Sequence, residues 1–233
     1  NLEEIHRLPP RYLRRELAAC APYEVVDFLI RWQHLHLSTR RSGLDGLREV
    51  IGQLQGIEIV TGAIEPEVLF ARVADYRPEM LERLIAAGEV CWRRLANDDV
   101  KRGKVTLCLR RDLPWLAGAA KPKFDTLKRA DADIPDEIRA VRDYLGTRGT
   151  AFFDDVVADL AIDEGAAMRA VWYLAWCGEL TCDTYECLRY ADFQVTMSAC
   201  YDLDSTPRRI LSGRVTADRP VEHMKRRRMD PRL

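Results

Sequence analysis

Apolar residues recur every third or fourth position along most of the chain, which is the spacing of amphipathic helices. The stretch from Pro22 to about Leu37 predicts one such helix, with Trp32 on its buried face. A further predicted helix opens at Ser42 and stops at Gly56, because glycine commonly ends helices. The pattern therefore favours a mostly α-helical chain, with a helical lead-in before the first compact unit.

One arrangement of apolar residues, glycine and glutamate occurs twice. The run 80–95 predicts a helix that stops at Gly88 and turns into a strand, and the run 170–180 repeats this around Gly178. Glu89 and Glu179 directly follow the two glycines. A third helix that leaves through Gly-Glu into a strand is typical of a winged helix, and that helix often contacts nucleic acid. The repeat therefore predicts two winged-helix units in tandem.

A polar tip, Ala96-Asn97-Asp98-Asp99, begins the loop between two strand-like runs and predicts the hairpin called a wing. The predicted fold class is mostly α (α+β), with tandem winged-helix units, small β wing hairpins and room for a partial β-barrel at the C-terminal end. The predicted segments are a helical lead-in at 1–41, a first winged helix at 42–110, a linker at 111–134, a second winged helix at 135–191, and an edge strand with a basic, disordered tail at 192–233.

The charge of the chain places limits on nucleic-acid binding. Charged residues make up 31% of the chain and the net charge is -1, so such binding would need a local cluster of basic residues. A cluster is predicted on the first wing and the helix before it, where basic side chains could contact a phosphate backbone. Its members are Arg77, Arg83, Arg93, Arg94, Lys101, Arg102 and Lys104. The alternative is a solvated rim, because Asp98 and Asp99 dilute the positive charge.

The residue pattern gives little support for catalysis. No GxxxxGK[ST] loop that could cradle nucleotide phosphates is present, so no catalytic residue and no cofactor are assigned to this segment. The seven cysteines lack the short spacing of zinc sites, and no metal site is predicted.

Two hypotheses compete with nucleic-acid binding. Trp172, Tyr173 and Trp176 could form a surface for protein interaction, as in a winged-helix scaffold, although internal packing is the favoured interpretation of these residues. Asp154 or Asp155 could act as the general base of a glycosylase-like enzyme, although capping of a helix dipole is favoured for this pair.

Short strings, separated along the chain, form a series in a fixed order. They are Ile5-His6-Arg7, Leu13-Arg14-Arg15-Glu16, Phe28-Leu29 with Arg31-Trp32-Gln33-His34, Gln53-Leu54-Gln55-Gly56, Ala71-Arg72-Val73, Tyr76, Gly88-Glu89-Val90-Cys91-Trp92, Thr181-Cys182-Asp183 and Leu188-Arg189. Together they resemble the region downstream of the motor in large helicase-related (Lhr) proteins of the DEAD/DEAH-box superfamily. In that family this region resembles winged-helix modules packed with a small β-barrel, which hold DNA while the upstream ATPase moves along it.

The resemblance implies a DNA-binding segment of an ATP-dependent 3′-to-5′ DNA helicase that acts in repair in the cytoplasm. ATP and Mg would then belong to the motor of a longer protein, and we expect this chain, which begins at Asn1, to be a part of it. The implied partners are DNA, single-stranded or duplex with a 3′ tail, and upstream ATPase domains of the same chain, with no membrane. The family continues from Leu188-Arg189 into a Gly-Arg-Trp strand, whereas a charged tail follows Ser212-Gly213-Arg214-Val215 here, so an incomplete or altered barrel is expected.

Overall fold

The computed structural model describes residues 20–94, 103–119, 134–190 and 214–217. The chain forms two compact units, Asn1–Arg40 and Arg41–Leu233. Among the helices in these described ranges, none is long and apolar enough to cross a membrane.

The first unit contains helix α1 (Pro22–Trp32) and a 3₁₀ turn (Leu37–Thr39). Pro22 starts α1, and the Glu24 carboxylate accepts the Ala21 N–H at 2.7 Å. No residue of α1 is buried, and Trp32 is 55% exposed, so the prediction that Trp32 is a core residue is wrong. An apolar stripe shows which face of a helix is suited to a partner, but it does not show that the partner is there.

The second unit opens with a winged helix, called here the first winged helix. Its helices are α2 (Gly43–Leu54), α3 (residues 61–72, with a π-helical stretch at Ile64–Leu69) and α4 (Pro78–Ala86). Its strands are β1 (Ile59–Val60), β2 (Val90–Arg93) and β3 (Lys104–Leu109). A 3₁₀ turn (Arg110–Asp112) and helix α5 (Leu113–Ala119) follow it.

Strand β3 lies in the middle of an antiparallel sheet whose order is β1-β3-β2. The register pairs Ile59 with Val105 and Val90 with Leu109. This order of helices and strands is that of a winged helix, with β2 and β3 as the two strands of the wing. The tip residues 95–102, including Lys101 and Arg102, lie outside the described residues.

The second winged helix repeats this plan. Its elements are α6 (Asp136–Arg148), β4 (Thr150–Phe152), α7 (Phe153–Leu160), α8 (Glu164–Trp176), β5 (Leu180–Cys182), α9 (Glu186–Arg189) and β6 (Arg214–Ala217). The sheet order β4-β6-β5 matches that of the first sheet, with the last strand in the middle. Both sheets are open and three-stranded, so the described residues contain no closed barrel.

Strand β6 lies within the segment 192–233, which the sequence analysis predicted to hold an edge strand and a disordered tail. A boundary at residue 191 would leave the second sheet without its central strand, so the second winged helix extends to Ala217. Residues 195–201, whose alternating apolar positions are the basis for the predicted edge strand, lie outside the described residues. The strand Arg214–Ala217 is too short and too close to charged residues to stand out in the sequence.

One hydrophobic core runs through both winged helices. It includes Leu47 and Leu84 from the first and Val141 and Leu174 from the second. Every residue from Ala170 to Trp176 on α8 is buried, and the rings of Trp172 and Trp176 stack with their centroids 5.9 Å apart. A shared core of this kind holds the two winged helices together as one packed body.

Candidate nucleic-acid interface

The repeated glycines end α4 and α8 in the same way. Gly88 has φ +71° and Gly178 has φ +72°, a conformation that side chains with a Cβ rarely adopt. The N–H of the following glutamate returns to the last turn, from Glu89 to the Leu84 carbonyl at 3.0 Å and from Glu179 to the Leu174 carbonyl at 2.9 Å. This is the Schellman arrangement, which satisfies helix carbonyls and turns the chain into the next strand.

Each repeated glutamate also joins the third helix of its winged helix to the first. Arg48 on α2 donates to Glu89 from Nε at 2.5 Å and from Nη2 at 3.0 Å. Arg142 on α6 donates to Glu179 from the same two atoms, at 2.8 and 3.2 Å. The hydrogen bond from Arg48 lowers the pKa of Glu89. The Gly-Glu pair therefore has the same role in both winged helices, where it ends the third helix and joins it to the first.

Arg93 and Arg94, both predicted to contact nucleic acid, lie where β2 meets the end of α8. Arg93 Nη2 donates to the Gly178 carbonyl at 2.8 Å, and Arg94 Nη1 donates to the Trp176 carbonyl at 2.6 Å. Arg94 is only 5% exposed. A helix C-terminus carries partial negative charge, so two guanidinium groups are well placed there. The structure thus brings both guanidinium groups to the contact between the winged helices, where Arg94 is buried and Arg93 is partly exposed. That they contact nucleic acid stays a prediction.

We call this contact the seam: it joins residues 92–94 and Glu82 of the first winged helix to residues 176–185 of the second. Two further hydrogen bonds cross it, from Thr181 Oγ1 to the Trp92 carbonyl at 2.5 Å and from Trp92 Nε1 to the Thr184 carbonyl at 3.1 Å. The Glu82 carboxylate accepts from Thr184 Oγ1 at 2.8 Å and from the Tyr185 N–H at 3.1 Å. The seam therefore fixes one flank of α4.

A buried ion-pair cluster continues the seam toward α3. Arg189 Nε lies 2.7 Å from Glu65, which is 8% exposed, and Arg189 Nη2 lies 3.1 Å from Glu82. The hydrogen bonds that Arg189 donates to the Glu65 carboxylate raise the pKa of Arg189, so this residue stays positively charged at any physiological pH. Tyr76 completes the cluster, because its hydroxyl donates to Glu65 at 2.7 Å.

Two of the predicted contact residues are exposed. Arg77 precedes the first turn of α4, and Arg83 lies in the last turn, where Ala86 is also exposed. Lys104, at the start of β3, is partly exposed. Among the described members of the predicted cluster, Arg77, Arg83 and Lys104 are therefore accessible to a ligand without a hydrogen bond across the seam, whereas the partly exposed Arg93 donates to the Gly178 carbonyl.

The sequence analysis missed several arginines with defined positions. Arg48 and Arg142 hold the Gly-Glu turns, and Arg110 and Arg111 line a groove beside Gly88. A signal for the first pair was available, because Leu47-Arg48 on the first helix of one unit corresponds to Val141-Arg142 on the first helix of the other. No repeat marks the second pair.

The competing hypotheses fall on residues of the second winged helix. Trp172, Tyr173 and Trp176 are each 1% exposed, so an interaction surface made of these aromatic side chains is excluded and their predicted internal packing is confirmed. Asp154 and Asp155 lie in the first turn of α7, where carboxylates stabilise the helix dipole. A catalytic role for this pair stays a prediction.

The sequence that forms the two winged helices and the seam is similar to sequences of known proteins. Residues 21–110 match the family model described as large helicase-related protein, winged-helix domain. A protein of Mycolicibacterium smegmatis, described as an Lhr helicase and probable uracil glycosylase, is 35% identical over 190 residues. An Lhr helicase/uracil glycosylase of Escherichia coli is 31% identical over 188 residues. The chain is an Lhr-family region.

The Lhr match agrees with the arrangement of the elements. Its limits enclose α1 and the whole first winged helix through β3. The two alignments cover 76% and 77% of this chain but only 12% and 11% of the relatives. The chain thus spans about an eighth of the length of the Lhr proteins that it matches, and their names describe proteins that are far longer.

Proposed function

We propose that this Lhr region binds DNA for an ATP-dependent 3′-to-5′ DNA helicase that acts in repair. The observation that carries the proposal is the exposure of two arginines at α4, Arg77 at its N-cap and Arg83 in its last turn, on the third helix of a winged helix that is anchored along one flank. In winged helices this helix is the usual element for nucleic-acid contact. Both Lhr relatives are described as helicases.

Phosphate contacts would come from Arg77, Arg83 and Lys104, together with Lys101 and Arg102 at the wing tip. Arg93 and Arg94 would act indirectly, because their guanidinium groups hold β2 against the end of α8. Asn, Gln and Arg do not cluster in a way that suits base edges, so the binding would be independent of sequence.

The ATPase, with its ATP and Mg, would lie elsewhere in a longer cytoplasmic protein, whose motor domains are the second proposed partner of this region. The helicase would move the strand, while α4 and the wing keep a single strand or a 3′-tailed duplex in position. An anchored helix suits that task, because backbone that is already ordered loses little further conformational freedom on binding.

The test removes three positive charges from the accessible set. In the variant Arg77→Ala/Arg83→Ala/Lys104→Ala, we expect affinity for single-stranded DNA to fall about 100-fold at 0.1 M salt, and the slope of log K against log salt to lessen by about 2 units. Fluorescence anisotropy across a salt series measures both quantities.

The matched control removes the same charge elsewhere, in Arg31→Ala/Arg139→Ala/Arg148→Ala. These arginines lie on α1 and α6, away from α4 in sequence. Arg31 and Arg139 each form an ion pair within their own helix, and Arg148 pairs with Asp159 on α7. The control should retain most of the affinity and the full slope. Equal losses in the two triple variants would mean that net charge alone, and not the α4 face, determines binding.

A further inference from the structure

The sheet of the first winged helix has a second apolar face, away from the main core. Side chains alternate along a strand, so Val90 and Trp92 on β2 belong to the main core, whereas Cys91 lies on the opposite face. The same alternation on β3 places Leu107 in the main core and Cys108 on the opposite face. Cys91 and Cys108 are direct partners in the register of the two strands. The wing therefore holds two thiols side by side, outside the core that the winged helices share.

The two thiols meet the geometric conditions for a disulfide. The Cys91 and Cys108 sulfur atoms lie 3.4 Å apart, and neither is part of a disulfide. Directly opposed residues on antiparallel strands have Cα atoms about 4.5 or 5.5 Å apart, and disulfides span Cα separations of about 4.4 to 6.8 Å. The sulfurs can therefore reach bonding distance, about 2.05 Å, without a change of register. Within the described ranges, no group of three or more metal-binding side chains includes them.

A short helix packs against the pair. Leu113 and Leu116 of α5 form, with the two cysteines, a small hydrophobic cluster that is separate from the main core. Of the other α5 side chains that the structure describes, Pro114 and Trp115 are exposed. A helix that buries so little opens locally more often than the core does. Such an opening would admit a small oxidant to the sulfurs, which are otherwise buried.

We propose that Cys91 and Cys108 are a redox-sensitive pair, which hydrogen peroxide converts to a reversible disulfide across the wing. The sulfur of one thiolate attacks peroxide, so that an S–O bond forms, the O–O bond breaks and the released hydroxide takes a proton to become water. The second thiol then attacks the resulting sulfenic acid, forming the S–S bond and releasing a second water. Two thiols thus lose two electrons and two protons, and one peroxide gains them. This reaction does not depend on the proposed DNA binding.

The disulfide would tie β2 to β3 immediately before the seam. Arg93 and Arg94, which donate to the end of α8, follow Cys91 directly after Trp92. The wing tip lies between the two cysteines along the chain, so the bond would close the wing into a covalent loop. A cross-link of this kind acts mainly by removing conformations from the unfolded chain. Oxidation should therefore stabilise the wing.

The test exposes the chain of 233 residues to hydrogen peroxide under native conditions and then maps its tryptic peptides without reduction. Peptides 84–93 and 105–110 contain one cysteine each, Cys91 and Cys108. We expect them to be joined, to weigh two hydrogen atoms less than their sum, and to separate when dithiothreitol is added. Peptide 170–189, with three further buried cysteines, is the internal comparison. If the two peptides stayed separate, or if either was joined mainly to peptide 170–189, the inference would be overturned.

Two substitutions on α5 test whether this helix controls access to the sulfurs. Leu116→Ala removes one of the two leucines that pack on the cysteines, so the disulfide should form about tenfold faster. Trp115→Ala is the matched control, because it removes a larger side chain from the same helix at a position that is 72% exposed. Its rate of disulfide formation should equal that of the wild type. An unchanged rate in Leu116→Ala, or equal acceleration in both variants, would overturn the role of α5.

Thermal unfolding separates the disulfide from other products of peroxide treatment. In the wild-type chain, oxidation should raise Tm by about 5 °C, because the cross-link restricts the unfolded chain. Cys108→Ala is the matched control, since it retains Cys91 but cannot form the bond, and its Tm should not rise after the same treatment. An equal Tm for the reduced and the disulfide-bonded wild type would overturn the inference that the bond stabilises the wing.

Discussion

At the scale of single residues, the Gly-Glu turn has the same structural role in both winged helices, although different groups surround it. Glu89 and Glu179 each accept a bidentate hydrogen bond from an arginine on the first helix of their own winged helix. The glycines supply a backbone conformation that other residues adopt only with strain. What differs is the neighbour: the Arg94 backbone lies against Gly178, whereas among the described residues only the Arg110 side chain would lie within 4 Å of a Cβ at Gly88.

This difference predicts unequal costs for two identical substitutions. Gly88→Ala should destabilise the chain by about 1 kcal/mol, because alanine must adopt the same positive φ and otherwise has room. Gly178→Ala carries that strain and also places Cβ 2.5 Å from the Arg94 carbonyl, so the seam must shift and the loss should reach about 3 kcal/mol or more. Urea unfolding of both variants measures the difference. Equal losses would contradict the tight contact at Gly178.

At the scale of elements, strand β2 links the two winged helices through the side chains at its end. Arg93 and Arg94 were predicted to contact nucleic acid because the sequence shows only their charge. Their acceptors are backbone carbonyls at the end of α8, and backbone groups leave no signature in the sequence. The third helices could be predicted, by contrast, because the glycine and glutamate that end them are visible as a repeat.

The same reasoning accounts for the other differences between prediction and structure. The central strand β6 was not predicted, because residues 183–213 separate it from β5 and its own four residues carry little pattern. Helix α1 was predicted as a helix, but the exposure of Trp32 depends on neighbours that periodicity cannot reveal. Local geometry could thus be read from the sequence, whereas contacts between distant elements could not.

Two matched substitutions separate the structural arginines from the accessible ones. Arg94→Met should lower the free energy of unfolding by about 1–3 kcal/mol, because the buried Trp176 carbonyl loses its donor. Arg83→Met, at an exposed position, should change stability by less than about 0.5 kcal/mol. The effect on DNA binding should be reversed: Arg83→Met lessens the salt slope by about 0.7 units for single strands, and Arg94→Met leaves the slope unchanged. A reduced slope in Arg94→Met would mean that this residue contacts phosphate directly.

At the scale of the whole molecule, the shared core and the seam make the two winged helices one packed body. Leu47 and Val141, on the first helix of each, are fully buried in the same hydrophobic cluster. Elements that share a core usually unfold together, whereas units with separate cores open independently. If DNA binds at α4 as proposed, a force on that helix would therefore be distributed over both winged helices.

This coupling predicts that damage to one core weakens both winged helices. Leu47→Ala should cost about 2–5 kcal/mol, because it leaves a cavity at a position with no exposed surface. Amide hydrogen exchange, followed peptide by peptide at low denaturant, should then speed up in α8 of the second winged helix as much as in α4 of the first. Val141→Ala is the reciprocal variant and should accelerate exchange in α4 by the same logic, with a smaller effect because fewer carbon atoms are removed. If exchange in α8 kept its original rate in Leu47→Ala, the two winged helices would be separate cooperative units, and the seam would be a contact between domains that open independently.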